Sequence, residues 1–237
     1  MPRPLKVIFC LKLEDEIKRQ LRLFQLNNRP FAAFARDAER SFQVLIPKDI
    51  GDGKRTYTRR EPDISFKHHW ARYPGVVMEV FCARTKDYGM VDEYILDTDG
   101  SVSAVFVFRL HNTGSKKATF TLWRPNYQVA EDGVEVLQAT AMIQDKQFRT
   151  NSGVPAEGEA FRLSLRDFGV EELAQDYAEL DQEIVITSEQ LCDFLSSAEA
   201  HEEKITRFEG SVGQIPPGAV KRYRSQIPLE QQISEEK

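Results

Sequence analysis

The sequence predicts a mixed α/β (α+β-like) fold, one sheet flanked by helices, with an acidic helical region appended at the C-terminus. Three observations carry this. The patterns run helix, several strands, helix, more strands, then helices, without the regular alternation of a doubly wound sheet. The 237 residues are 41% hydrophobic, ordinary for a globular chain and enough for one large domain or one with an appended piece. Charge is split along the chain. Residues 1–130 hold 22 Lys+Arg against 15 Asp+Glu, net +7, whereas residues 131–237 carry −12, within a total of −5. The charge shift and the change of pattern divide the chain into a core, residues 1–169, and an acidic extension, 170–237, with a frayed polar tail.

Taken in order, "LEDEIKRQLRLFQL" at 13–26 puts Leu13, Ile17, Leu21 and Phe24 on one helical face, and "NNRP" ends it. "PFAAFARDAERSF" is helical or irregular. "FQVLIP" at 42–47 is a strand, Asp52-Gly53 marks a hairpin turn, and "RTYTRREPDISF" returns as a second strand. "GVVMEVFCA" is a third, apolar enough to be buried on both faces. "TKDYGMVDEYIL" is helical despite Gly89. "VSAVFVFRL", "ATFTLWRP", "VEVLQATAMI" and "FRLSLRDF" read as further strands. "VEELAQDYAEL" at 170–180 and a segment at 188–205 read as helices, the second with a Thr187–Gln190 capping box and a stripe of Leu191, Phe194, Leu195, Ala198 and Ile205.

Several chemistries lack their motifs. There is no GxSxG, P-loop or GxGxxG, so acyl transfer, nucleoside triphosphate use and dinucleotide binding have no support. Cys10, Cys82 and Cys192 are scattered and form no CxxC pair, which argues against a structural zinc site and for reduced thiols. Cys82 reads as an inert core thiol. No apolar run approaches a membrane span, and the N-terminus lacks the h-region of a signal peptide. The expectation is an intracellular protein, cytoplasmic or nuclear, away from membranes.

The residue to explain is Glu79, a carboxylate inside "GVVMEVFC", because a buried charge needs a partner. Alternation puts Val77, Glu79 and Phe81 on one face of their strand, and Asp63 with Ser65 on one face of "PDIS". If the strands are neighbours, Asp63 and Glu79 converge, and two converging carboxylates require a cation or a shared proton. Magnesium or manganese takes such oxygen ligands. The alternatives are an arginine partner for Glu79 or a strand at the sheet edge.

The ordered set "EPDISF", "YPGVVMEVFCARTKD", a short helix, "VSAVFVFRL" and "ATFTLWRP" resembles the PD-(D/E)XK nuclease superfamily, most closely the Uma-type family of restriction-endonuclease-like proteins. Fungal proteins carry a similar "PGVVMEV" and "KKAT…LWRP". The resemblance spans about residues 13–168. It implies a restriction-endonuclease-like mixed sheet entered by a helix, hydrolysis of phosphodiester bonds in nucleic acid, and magnesium or manganese held by Asp63 and Glu79. Where the superfamily has a Lys two residues after the acidic ligand, this sequence has Phe81. Some relatives supply that Lys from the following helix, which makes Lys86 the candidate catalytic group and Arg84 the second choice. An acid from the first helix often joins such a site, which leaves Glu14, Glu16 and Glu39 open. A nuclease fold that has lost cleavage and serves as a binding or assembly module is the alternative.

"KRTYTRR" interleaves Lys54, Arg55, Arg59 and Arg60 with Tyr57, a pattern that grips phosphates and stacks a base. The alternative is an ordinary charged hairpin. His68 and His69 point to opposite faces if on a strand and are poor joint ligands; a loop or partly buried pair is the favoured reading. The basic half suits nucleic acid as partner. The C-terminal helices suit a homodimer or a protein partner.

Overall fold

A computed structural model describes residues 3–49, 55–82, 88–110, 114–158, 160–208 and 218–220. The chain divides into two units, Met1–Glu202 and Glu203–Lys237. In chain order the elements are α1 (Pro4–Gln25), α2 (Phe31–Asp37), β1 (Ala38–Ser41), β2 (Val44–Asp49), β3 (Arg55–Arg60), β4 (Ile64–His68), β5 (Val76–Phe81), α3 (Gly89–Ile95), β6 (Ala104–Leu110), β7 (Ala118–Val129), β8 (Glu135–Arg149), β9 (Ala160–Ser164), a 3-10 turn (Leu165–Phe168), α4 (Glu171–Ala174), β10 (Glu183–Thr187) and α5 (Ser188–Phe208).

The mixed α/β class holds. A six-stranded mixed sheet runs β1-β4-β5-β6-β7-β8. Its parallel pair is β5 with β6, joined by a connection that contains α3; the other neighbours are antiparallel. The period-2 alternation of β5 separates two cores. Val76, Met78 and Val80 join Leu5, Phe9, Leu13 and Ile17 of α1. Val77 joins Val91, Tyr94 and Ile95 of α3, with Phe81 packed against them. Both faces of β5 are therefore covered, as its apolar composition predicts.

Helix α1 begins about nine residues before the expected start. Pro4 stands at its first position, where a missing N–H costs nothing, and Leu5 and Phe9 extend the buried stripe toward the N-terminus. The strand expected over "RTYTRREPDISF" is two strands in two sheets. Residues 61–63 separate them: Pro62 has no N–H for a ladder, so β3 pairs with β2 while β4 pairs with β1 and β5. The Asp52-Gly53 turn lies outside the described residues; the flanking strands pair through Asp49 and Arg55. Gly75, just before β5, lies so close to the 3-10 turn that an added Cβ would be 2.2 Å from the Asp167 carbonyl oxygen, and only glycine fits there.

The C-terminal region departs further from expectation. Only Glu171–Ala174 of the "VEELAQDYAEL" helix is helical, and "FRLSLRDF" is strand β9 followed by the 3-10 turn. Strand β10 pairs with β9 in a small sheet of its own. Leu180, Ile184, Ile186, Leu191 and Leu195 lie in the same buried cluster as Phe9 and Phe106, so residues 170–202 help build the core. Arg149, 2% exposed, is held by Glu199 through two bonds of 2.8 Å. The capping box forms as expected: the Gln190 N–H donates to Thr187 Oγ1 and the Thr187 N–H to Gln190 Oε1. In the second unit, Arg207 pairs with Glu203 one turn away on α5. Among the described residues no helix is long and apolar enough to cross a membrane.

Candidate carboxylate site

Strands β4 and β5 are neighbours, paired Ile64 with Met78, so Asp63 at the head of β4 falls opposite Glu79. The two carboxyls stand in register on neighbouring strands, near enough for the charge of Asp63 to act on Glu79. Glu79 points from β5 toward α3, where the Tyr94 hydroxyl donates to its Oε1 at 2.7 Å. Asp63 is held on both oxygens. Its Oδ2 accepts the Val80 N–H at 2.7 Å, and its Oδ1 meets Lys6 Nζ of α1 at 2.8 Å.

The electrostatics follow from burial. Removal from water, then the charge of Asp63, raise the Glu79 pKa from an ordinary 4.5 to about 7, against the Tyr94 bond and Lys6, which pull it down. Near neutrality Glu79 is therefore poised between its protonated and its charged form. Burial pulls Lys6 down, but its bond to Asp63 and the nearby carboxylates outweigh this and hold it above its usual value. Burial, then Glu79, push Tyr94 up, so its hydroxyl stays a donor. Cys10 and Cys82 flank the pair, and burial raises both thiols, which keeps them protonated and unreactive.

Arg40 of β1 braces the loop that carries Asp63. Its Nη2 donates to the Asp63 carbonyl at 2.9 Å, its Nη1 to the Ser65 carbonyl at 3.1 Å, and its Nε to Glu14 Oε2 at 2.9 Å. Glu14, one of the three acids left open, is thus engaged by Arg40 and by Lys18. Glu16 is bound by Arg19 and Gln20, and Glu39 lies 3.6 Å from both Lys67 and His69. What α1 brings to the carboxylate pair is a lysine.

The other expected residues distribute as follows. Lys54, Arg84 and Lys86 lie outside the described residues, and of Arg55 only the backbone is described. Arg59 pairs with Glu61 at 2.7 Å, and Arg60 with Glu93 of α3, which ties the hairpin base to the helix that carries Tyr94. Tyr57 is 51% exposed. His68, the last residue of β4, is buried against Phe34, while His69 lies in the turn that follows and is exposed. Phe81 packs with the α3 core and faces Arg109 of β6. Arg109 is committed to Tyr88 and Asp145, at 2.5 and 3.0 Å, and does not replace the missing strand lysine.

Reasoning from the sequence missed Lys6, Tyr94 and Arg40. The signal for Lys6 was its place four residues before Cys10, beside a buried stripe that runs on to Leu5. For Tyr94 it was a polar tip within an apolar helical spacing.

When Glu79 loses its proton, the two carboxylates carry two negative charges against the single positive charge of Lys6. They are hard oxygen donors, and an ion of the magnesium or manganese kind fits them by replacing that proton. Asp63 and Glu79 would hold it, with Lys6 as a competing cation. Among the described residues no group of three or more His, Cys, Asp or Glu gathers as a fuller ligand set. Comparison with protein-family models, with curated proteins and with solved structures finds no match.

Proposed function

We propose that this chain is a restriction-endonuclease-like protein that hydrolyses phosphodiester bonds in nucleic acid with magnesium or manganese. One observation carries the reading: two carboxylates from neighbouring strands stand in register in a partly buried site, one of them paired with a lysine. The helix-led mixed sheet, with Asp63 after Pro62 and Glu79 on the next strand, supports it as the pattern that the resemblance implies. A bound divalent ion would polarise the phosphate and lower the pKa of water. Asp63 and Glu79 would hold that ion. Tyr94 fixes the Glu79 rotamer, and the Val80 N–H fixes Asp63. Lys6 supplies the ammonium that Phe81 cannot, from a helix instead of the strand, and offsets negative charge as it grows on phosphate.

Phe81 and the engagement of Asp63 by Lys6 favour a second reading, a fold that binds nucleic acid or protein without cleaving. One assay separates the two. The protein is incubated with plasmid DNA, single-stranded DNA and RNA, in manganese, in magnesium and with chelator. A nuclease gives cleavage that the chelator abolishes. A gel shift with intact strands in every metal identifies the binding module.

A further inference from the structure

We propose that a groove joined through Arg40 to the loop of Asp63 binds a single-stranded segment of nucleic acid, by stacking unpaired bases on Phe42 and Tyr57 and by holding phosphates with Lys67 and Arg72. This names the substrate class of the site above and rests on that reading. The groove has a volume of about 540 Å³ and lies between the β2–β3 hairpin and the β1–β4 side of the large sheet. Among its described lining residues are three cations, Arg40, Lys67 and Arg72, and no carboxylate. In a chain of net charge −5 that is a local reversal of sign, and it favours a polyanion.

The aromatic lining narrows the choice. Phe42 is 73% exposed and Tyr57 is 51% exposed. Each carries a cation close by: the Arg40 guanidinium lies 4.9 Å from the Phe42 ring centroid, and Arg72 Nη2 donates to the Tyr57 hydroxyl at 3.5 Å. Arg40 and Lys67 have acidic partners in Glu14 and Glu39, whereas Arg72 has no carboxylate partner among the described residues. Arg72 is therefore the cation freest to take a phosphate. Exposed rings set among cations in a trough are how proteins hold unpaired strands, because a base offers its flat face only when unstacked. A duplex hides those faces and is read by an element that projects into its groove, the opposite relief.

Continuity with the site gives the groove its purpose. Arg40 lies over Phe42 and also donates to the carbonyl of Asp63. A strand stacked on Phe42 is then one side chain away from the loop that carries Asp63.

The test is fluorescence anisotropy with labelled oligo-dT and oligo-rU of about 15 nucleotides, a typical length for such a channel, and with a duplex of equal length. Chelator is present throughout, so hydrolysis cannot intervene. The expected result is a Kd for single strands about tenfold or more below that for duplex. The double variant Phe42→Ala, Tyr57→Ala should raise the single-strand Kd by about tenfold or more, as loss of stacking does. Arg72→Ala should reduce the salt slope by about one counterion. Both rings are exposed, so the double variant should keep its Tm. Preference for deoxyribose or ribose identifies the strand and satisfies the proposal either way. Equal affinity for duplex, an unchanged Kd in the double variant, or binding of no nucleic acid, as expected if a protein occupies the groove, would overturn it. Groove-dependent binding without metal-dependent cleavage sinks the nuclease reading alone. Cleavage with groove-insensitive affinity sinks this one alone.

Discussion

Glu79→Gln raises the Tm of the metal-free protein at pH 8 by an expected ~5–10 °C and by much less at pH 5. The reason is the pKa of Glu79, raised from an ordinary 4.5 to about 7. Below 4.5 the carboxyl is protonated in both the folded and the unfolded chain. Between 4.5 and about 7 the unfolded chain has lost the proton and the folded chain retains it, so stability falls as pH rises through that window. Above about 7 the loss is complete and amounts to roughly 3 kcal/mol. Glutamine mimics the protonated acid: it is neutral and its carbonyl accepts from Tyr94. For a domain of this size that free energy corresponds to the Tm change given, at about 2–4 °C per kcal/mol. Thermal melts of wild type and variant across pH 5 to 8 check it. An equal difference at both ends, or a lower Tm for the variant at pH 8, would mean that burial beside Asp63 does not raise the Glu79 pKa.

Lys6→Met should lower metal-dependent cleavage by about 10²–10³-fold, the usual cost of removing one preorganised donor from a developing negative charge. Methionine fills the aliphatic volume beside Cys10, and α1 keeps Leu5 and Phe9 in the core, so the fold should persist. A purely structural lysine would alter Tm without altering how activity depends on pH. A lysine that acts on the site alters both, because Lys6 pulls the Glu79 pKa down. In Lys6→Met the acid limb of the pH–rate profile should therefore move to higher pH, and Lys6→Arg should restore part of the rate. Full activity of Lys6→Met with an unmoved limb would remove Lys6 from the mechanism.

Much of this site was legible in the residues because strand periodicity is short-range. One acidic residue within an apolar run fixed the face of Glu79, and "PDIS" fixed that of Asp63. Antiparallel neighbours then brought them together. The rest depends on contacts distant in sequence. Lys6 reaches Asp63 across 57 residues of chain, and nothing in "PRPLKVIF" marks that reach. Arg40 likewise sits in a four-residue strand too short to show a period. Pro62 was legible as the partner of Asp63 but not as the point where one expected strand becomes two in different sheets. In the C-terminal region, "EIVIT" is a short strand among acidic residues, and its pairing with β9 outweighs the helical composition before it. That pairing brings residues 170–202 into the core, where charge counting predicts an appendage.

The most direct test of the carboxylate site is titration of manganese, followed by calorimetry at pH 8, into the wild-type protein and into Asp63→Asn. The account predicts saturable binding to the wild type, with proton release from Glu79, and loss of that binding in the variant. Absence of saturable binding to the wild type, or binding that Asp63→Asn leaves unchanged, would contradict it.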